Sequence, residues 1–234
     1  MSTFEYHLYE RENHLFVDLP EGPFLVDTGS PMSFGTSSSI TFVGETYALR
    51  ERAGMLGMSI SISTIRKLVS GPCSGLLGMD FLSKHPLRFS LRTGAILAGD
   101  AALSERGTDI ASTTVMGVPM IGIHSRGRDL RAIFDTGAQY GYVMQHDLVD
   151  GLAVTGHISD YNPMLGDIRS DSWSLPYQVL DDNGTNIRSI VHETVGFLDA
   201  GLLGLIGADA IIGWHLLESV DLMMVPDSGI QVIL

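Results

Sequence analysis

Short runs in which apolar and polar residues alternate, separated by polar turns, dominate this chain. Phe4–Tyr9 and His14–Leu19 alternate loosely and are separated by the polar stretch Glu10–Asn13, as a hairpin requires. Met58–Ile65 alternates almost strictly with period two, which predicts a half-buried strand. The pattern therefore predicts an all-β protein.

Helical patterns are confined to short segments. We expect short helices only, near Met79–Lys84 and Ala208–Leu217. The segment Thr194–Leu217 is apolar enough to suggest a membrane span, but Asp199, Asp209 and several glycines interrupt it. A buried strand followed by a helix explains this segment better.

The second half of the chain repeats the first half in order. The blocks of the first half are Asp27-Thr28-Gly29-Ser30, Met55-Leu56-Gly57 and Gly75–Leu82, and those of the second are Asp135-Thr136-Gly137-Ala138, Met164-Leu165-Gly166 and Gly204–Ile211. A period of about 110 residues is far too long for a solenoid unit. The repeat therefore predicts two homologous lobes, 1–105 and 106–234, with a linker between Gly99 and Ser112.

Each Asp-Thr-Gly tripeptide ends an apolar run. Phe24-Leu25-Val26 precedes Asp27, and Ile133-Phe134 precedes Asp135. An aspartate at the end of a buried strand, on a tight turn that Gly makes possible, can be held against a second carboxylate with one shared proton. One carboxyl group can then act as a base while the other acts as an acid. Two such turns indicate two carboxylates that meet.

These residues resemble the aspartic proteases, whose signature is Asp-Thr-Gly followed by an apolar-apolar-Gly segment, twice. Gly75–Leu82 is more similar to the retroviral type than to the pepsin type. The resemblance covers nearly the whole chain and implies two β-barrel-like lobes, related by a pseudo-two-fold axis, with an active cleft between them. It implies that each apolar-apolar-Gly segment crosses beneath an Asp-Thr-Gly turn, and that Thr28 and Thr136 hold the turns together across the lobe interface.

The resemblance also suggests where flaps cover the cleft. At 234 residues the chain is close to two fused retroviral protomers. Met55-Leu56-Gly57, with Gly54, stands where a glycine-rich retroviral flap would be, and no Tyr stands where a pepsin flap would carry one. Met164-Leu165-Gly166 suggests a second flap, although a chance match between two loops is an alternative interpretation.

The second lobe contains an insertion after the second flap, within residues 167–201. It includes Trp173, Tyr177 and the dipeptide Asn183-Gly184, which favours a tight hairpin turn. One hypothesis is that the insertion shapes a wall of the cleft. The alternative is a surface hairpin whose aromatic residues cover the core.

Composition narrows the possible partners and the cellular setting. The formal net charge of −13 argues against binding to nucleic acid or to anionic membranes, both of which need clustered Lys and Arg. Cys73 is the only cysteine, so no intramolecular disulfide is possible. The chain opens without a basic and apolar leader. We therefore expect a cytoplasmic protein.

Other catalytic classes find little support in the sequence. Gly71–Gly75 has the Gly-x-Cys-x-Gly form of a nucleophile elbow, but no helical pattern follows Cys73. The eight histidines lack zinc-ligand spacing, and no phosphate-binding glycine-rich loop is present. We expect neither a metal nor an organic cofactor.

The sequence thus predicts an aspartic endopeptidase that acts on peptides or proteins through Asp27 and Asp135. Because both aspartates belong to one chain, the active species should be a monomer. A peptide-binding or scaffolding module of the same fold that has lost turnover is the alternative. The turns differ at Ser30 and Ala138. A Ser30 hydroxyl donated to the neighbouring carboxylate would lower its pKa and make Asp27 the more often ionised partner.

Overall fold

The computed structural model describes residues 3–55, 58–69, 71–162, 166–199 and 201–234. The strands described in the first half of the chain are β1 (Thr3–Arg11), β2 (His14–Leu19), β3 (Gly22–Val26), β4 (Phe34–Gly35), β5 (Ser39–Phe42), β6 (Glu45–Ala48), β7 (Arg52–Met55), β8 (Met58–Ser61), β9 (Gly75–Leu77), β10 (Leu87–Ser90) and β11 (Ala95–Gly99). The helices described there are α1 (Ile62–Leu68), α2 (Met79–Leu82) and a 3₁₀ turn, Ala102–Ser104.

The second half continues the same pattern of short strands. Its described strands are β12 (Thr108–Asp109), β13 (Ser112–Val115), β14 (Val118–Ser125), β15 (Arg128–Asp135), β16 (Gly141–Val143), β17 (Val154–Asn162), β18 (Gly166–Leu180), β19 (Asn186–Phe197), β20 (Ala210–Gly213), β21 (Asp221–Val225) and β22 (Gly229–Ile233). Its helices are α3 (Gly201–Leu205) and the 3₁₀ turns His146–Leu148 and Trp214–Glu218. The protein is thus mostly β, as the sequence predicts.

Two large sheets carry the fold. One has ten strands in the order β12-β22-β21-β10-β11-β1-β2-β3-β9-β4, and the other has eight in the order β13-β14-β15-β20-β16-β19-β18-β17. β5 pairs with β6 and β7 pairs with β8 in separate hairpins. Because β21 pairs with β10, strands from both halves of the chain share the ten-stranded sheet. The predicted boundary between 1–105 and 106–234 falls between β11 and β12.

Each lobe contains the same three-strand unit. In the first lobe, β3 runs parallel to β9 and β4 runs antiparallel to β9. In the second lobe, β15 runs parallel to β20 and β16 runs antiparallel to β20. Val26 pairs with Leu77 and Phe134 pairs with Ile212, so both units align just before the Asp-Thr-Gly turns. The predicted all-β architecture of two related lobes is confirmed.

The strand pairing corrects the sequence match between the lobes. The repeat matched Gly75–Gly78 with Gly204–Gly207, but the pairing makes Ala210–Gly213 the structural equivalent of Gly75–Gly78. Gly204 and Leu205 instead lie in α3, where the Leu205 side chain is 82% exposed. The strand position takes Ile211 and Ile212, whose branched side chains pack well on a pleated surface. The pattern of Gly75–Gly78 thus recurs in sequence at Gly204–Gly207, but not in the equivalent strand.

Two further local predictions are wrong. The segment Met58–Ile65 is a strand only to Ser61, after which α1 begins. Ile62 and Ile65 are three residues apart and both buried, a spacing that places them on one face of a helix but on opposite faces of a strand. The helix predicted at Ala208–Leu217 is β20 followed by a 3₁₀ turn. The helix predicted near Met79 is confirmed as α2.

The insertion in the second lobe is a long antiparallel hairpin. β18 pairs with β19 from Ser172 to Leu180, and Asp181 Oδ1 accepts hydrogen bonds from the backbone of Asn183 and Thr185 in the turn. Trp173 and Tyr177 are buried in the main hydrophobic cluster. Their burial supports the alternative in which the aromatic residues of the insertion cover the core.

The core has a large cluster common to both lobes and a smaller cluster behind each wall of the cleft. The smaller clusters use equivalent positions of the two three-strand units and of the strands beside them. These positions are Phe16, Leu25, Phe34 and Leu76 in the first lobe, and Met120, Ile133, Tyr142 and Ile211 in the second. Packing therefore supports the two walls in a similar way.

A buried ion pair joins the two halves within the ten-stranded sheet. Arg88 on β10 lies 2.7 Å from Asp221 Oδ2 through Nη2 and 3.1 Å through Nε. Asp221 on β21 is only 3% exposed, and the Nη1 of Arg88 binds Glu105 at 2.7 Å. Removing this guanidinium would leave the buried carboxylate with only the longer contact, 3.4 Å, to the exposed Arg92.

We expect Arg88→Met to lower the free energy of unfolding by about 3 kcal/mol, because it leaves the Asp221 carboxylate buried without its main partner. Arg128→Met is the matched control, since the pair of Arg128 with Asp147 is exposed and should contribute about 1 kcal/mol or less. Chemical denaturation measures both changes. Equal effects of the two substitutions would contradict the assigned role of Arg88.

Candidate active site

Asp27 follows β3, and Asp135 is the last residue of β15. The parallel neighbour of β3 fixes the first turn, since the backbone N–H of Asp27 donates to the Leu77 carbonyl at 3.0 Å. The two carboxyl groups approach each other across the lobe interface, each beside the glycine of the opposite turn, and are close enough to interact directly. The structure thus brings together the two aspartates that the sequence singles out.

Thr28 and Thr136 connect the two turns through reciprocal hydrogen bonds. The backbone N–H of Thr28 donates to Thr136 Oγ1 at 3.0 Å, and that of Thr136 donates to Thr28 Oγ1 at 2.9 Å. Each hydroxyl then donates to a carbonyl of the opposite lobe, Thr28 to Phe134 at 2.7 Å and Thr136 to Val26 at 2.8 Å. Both threonines are fully buried. This network fixes the separation of the two aspartates.

Gly29 and Gly137 are required because a carboxyl group of the opposite lobe lies close to each, and not because of their backbone conformation. A Cβ atom at Gly137 would lie 2.6 Å from Asp27 Cγ, and one at Gly29 would overlap the Asp135 carboxyl group. Neither glycine has the positive φ that L-residues avoid. Each turn therefore lacks a side chain where the carboxyl group of the other lobe needs space.

Both aspartates have raised pKa values. Burial raises the pKa of Asp27 well above its ordinary value, and the charge of Asp135 raises it further. Burial also raises the pKa of Asp135. The backbone N–H of Gly137 donates to Asp135 Oδ1 at 2.9 Å, which lowers this pKa but does not offset the effect of burial. The pair therefore retains a proton at a pH where an isolated aspartate is ionised.

The role expected of Ser30 is wrong. The Ser30 hydroxyl donates to the Met32 carbonyl at 2.9 Å, within its own turn, and so is not donated to Asp27. The pKa of Asp27 is raised by burial and by Asp135 rather than lowered by a hydroxyl. The Ser30 hydroxyl therefore does not make Asp27 the more ionised partner.

A cleft of about 440 Å³ opens above the two carboxyl groups. Its walls come from both lobes. The β7–β8 hairpin contributes Ala53 and Ile60, and the β17–β18 hairpin contributes Asp160 and Ile168. The first residues of the insertion therefore line the cleft while its aromatic residues cover the core, so each interpretation of the insertion holds for a part of it.

The predicted flap residues fall at the ends of these two hairpins. Gly54 and Met55 are the last residues described in β7, and Gly166 is the first residue of β18. Leu56, Gly57, Met164 and Leu165 lie outside the described residues. The assignment of these segments as flaps stays a prediction.

The structure adds site residues that the sequence reasoning missed. The Tyr142 hydroxyl donates to Asp160 Oδ2 at 2.7 Å, and both residues line the cleft. His14 reaches the cleft from β2, and burial lowers the pKa of its imidazole. Tyr142 follows Asp135 at the same spacing as Phe34 follows Asp27. A comparison of these two positions in the sequence would have shown that only the second lobe has a hydroxyl there. Nothing in the sequence indicates that Asp160 accepts its hydrogen bond.

Other chemistry considered in the sequence finds no site among the described residues. Cys73 is buried, its thiol donates to the Gly75 carbonyl at 3.3 Å, and burial raises its pKa, which disfavours the nucleophilic thiolate. Nowhere in the described ranges do three or more His, Cys, Asp or Glu residues form a group that could hold a metal ion. None of the described helices combines the length and apolar character needed to cross a membrane.

Comparison with solved structures supports the fold. The chain is similar to basic 7S globulin from soybean over 99% of its own length and 95% of that chain, with a TM-score of 0.55 and 10% identity. It also aligns with an aspartic proteinase from Irpex lacteus over 99% and 97% of the two chains, with a TM-score of 0.49 and 15% identity. No family model and no curated protein matches the sequence. The likeness to the globulin establishes the two-lobed β fold alone.

The raised pKa values predict how stability depends on pH. Because the folded pair binds its proton more tightly than the unfolded chain, wild-type stability should fall as pH rises from the ordinary aspartate pKa through the raised pKa of the pair. Asp27→Asn removes the part of this loss that comes from Asp27, although the buried Asp135 keeps its own. The variant should therefore be the more stable protein near neutral pH, by a margin that shrinks toward acid pH. Denaturation across pH measures this margin. A margin that is constant or grows at acid pH contradicts the prediction.

Proposed function

We propose that the protein is an aspartic endopeptidase with Asp27 and Asp135 as its catalytic pair. The observation that carries the proposal is the pair of adjacent, buried carboxyl groups at the floor of a cleft between two lobes. Its geometry is fixed by the reciprocal bonds of Thr28 and Thr136. Two carboxyl groups that share one proton provide a base and an acid at the same point.

In the proposed mechanism, the two carboxyl groups hold a water molecule between them. The ionised carboxylate removes a proton from this water as its oxygen attacks the scissile carbonyl carbon, while the protonated partner donates to the developing oxyanion. A proton then passes to the amide nitrogen as the C–N bond breaks, releasing an amine and a carboxylic acid. No covalent intermediate with the protein forms.

The proposed substrate is a peptide or protein segment in an extended conformation. An extended chain could bond through its main chain, as an added strand does, while pockets on alternate sides select its side chains. The cleft volume of about 440 Å³ suits a few side chains of such a segment. Neither a metal nor an organic cofactor is part of the proposal, and neither nucleic acid nor a membrane is a proposed partner.

The test is loss of peptidase activity when either carboxyl group is replaced. Asp27→Asn and Asp135→Asn should each lower kcat/KM on casein or a peptide library by at least about a thousandfold, because an amide neither ionises nor shares the proton. Pepstatin should inhibit the wild type, and the exposed Asp129→Asn is the matched charge control. Wild-type turnover by either variant would contradict the assignment. Peptide binding without turnover by the wild type would favour the scaffolding module.

We further propose that the active species is a monomer in a cytoplasmic setting. Both lobes and both aspartates belong to one chain, so no second copy is needed to complete the pair. Specific activity should therefore remain constant on dilution to nanomolar concentration, as a peptide assay with light scattering in parallel can measure. Activity that falls in step with the loss of a dimer contradicts this proposal.

A further inference from the structure

The two walls of the cleft are built from equivalent positions that differ in polarity. Phe34 pairs with Leu76 in the first lobe, and Tyr142 pairs with Ile211 in the second. Since Leu76 and Ile211 each pair with the strand that leads to a catalytic turn, Phe34 and Tyr142 occupy equivalent positions. All four side chains line the cleft. The second wall thus has a hydroxyl group where the first has only a phenyl ring.

The two hairpins above the catalytic pair show a second difference. Ala53 pairs with Ile60 in β7–β8. Asp160 pairs with Ile168 in β17–β18. These four residues line the cleft. Each hairpin thus has an isoleucine on the cleft side. The residue paired with it is an alanine in the first hairpin and an aspartate in the second.

The polar residues of the second wall form one unit. Asp160 Oδ2 accepts the Tyr142 hydroxyl at 2.7 Å, and Oδ1 accepts the backbone N–H of Tyr161 at 2.7 Å. These bonds hold the half-buried Asp160 carboxylate on the cleft side of its hairpin. Neutral donors fix the position of a carboxylate without cancelling its charge.

No cation of the described residues neutralises Asp160. None of the Lys, Arg or His side chains forms a salt bridge with it in the described part of the chain. His14 is near enough to feel its charge, but burial lowers the pKa of that imidazole, which favours the neutral form. Lys67 lines the cleft from α1, in the first lobe. The second wall therefore offers an oriented carboxylate to a ligand.

We propose that Asp160 is a specificity residue that selects a Lys or Arg side chain at the substrate position lying against the second wall. The equivalent position against Phe34 and Ala53 selects an apolar side chain. This inference rests on the proposed endopeptidase function and narrows its substrates to peptides with a basic and an apolar residue flanking the catalytic pair. A charged hydrogen bond to a partly buried carboxylate is stronger than one to a neutral group. The net charge of −13 also attracts basic peptides.

The experiment compares pairs of peptides that differ only in carrying Lys or norleucine at one position. The substituted position is varied along the peptide from one pair to the next. The wild type should cleave the Lys peptide at least tenfold faster in kcat/KM at one position near the scissile bond. Asp160→Asn keeps an acceptor for the Tyr142 hydroxyl but removes the charge, so it should lower the ratio of Lys to norleucine at least tenfold. Asp160→Glu should retain the preference. Asp171→Asn, on the same hairpin and paired with His157, is the matched control and should leave the ratio unchanged.

A binding measurement separates this inference from the proposed function. Fluorescence anisotropy in the Asp27→Asn background gives the dissociation constants of the same peptides without turnover. Tighter binding of the Lys peptide that disappears with Asp160→Asn supports the inference, even if the wild type cleaves neither peptide and the endopeptidase function fails. Cleavage by the wild type with the same ratio in Asp160→Asn overturns the inference and leaves the endopeptidase function standing.

Discussion

The structure depends on the hydrogen bonds between Thr28 and Thr136. Each threonine donates its backbone N–H to the hydroxyl of the other and its own hydroxyl to a carbonyl of the opposite lobe. All of these groups are buried, so the loss of one partner would leave others unpaired at a free-energy cost of about 1 to 3 kcal/mol each. The network therefore couples the relative position of the lobes to the geometry of the two carboxyl groups.

This coupling makes a costly arrangement possible. The two carboxyl groups are enclosed together, and both burial and the charge of Asp135 raise the pKa of Asp27. Gly29 and Gly137 leave the space that the opposite carboxyl group occupies. The free energy that burial of the pair costs must come from elsewhere in the fold, and the shared ten-stranded sheet with its Arg88–Asp221 pair provides contacts between the halves. A site that shares a proton thus rests on a buried, hydrogen-bonded lobe interface.

A single chain with two lobes can differ at equivalent positions, which a symmetric dimer of identical subunits cannot. The core positions remain apolar, as with Phe16 and Met120, because both pack behind the walls of the cleft. The residues that face the cleft differ in polarity: Tyr142 stands where the first lobe has Phe34, and the hairpin of the second lobe has Asp160 opposite an isoleucine where that of the first has Ala53. Packing thus preserves the symmetry of the framework, whereas the cleft walls follow the chemistry of whatever binds between them.

The sequence by itself determined the all-β class, the two-lobe repeat and the two aspartates, because short-period patterns and the Asp-Thr-Gly turns are local properties. It misassigned Gly204–Gly207, where the same letters suit more than one element until strand pairing selects one. It also misassigned Ile62–Ile65, where the alternation that ends at Ile62 was extended into the first turn of a helix. Only the tertiary structure decided that the Ser30 hydroxyl binds within its own turn and that Asp160 meets Tyr142. Hydrogen-bond partners depend on distances between elements, and those distances are fixed by packing rather than by position along the chain.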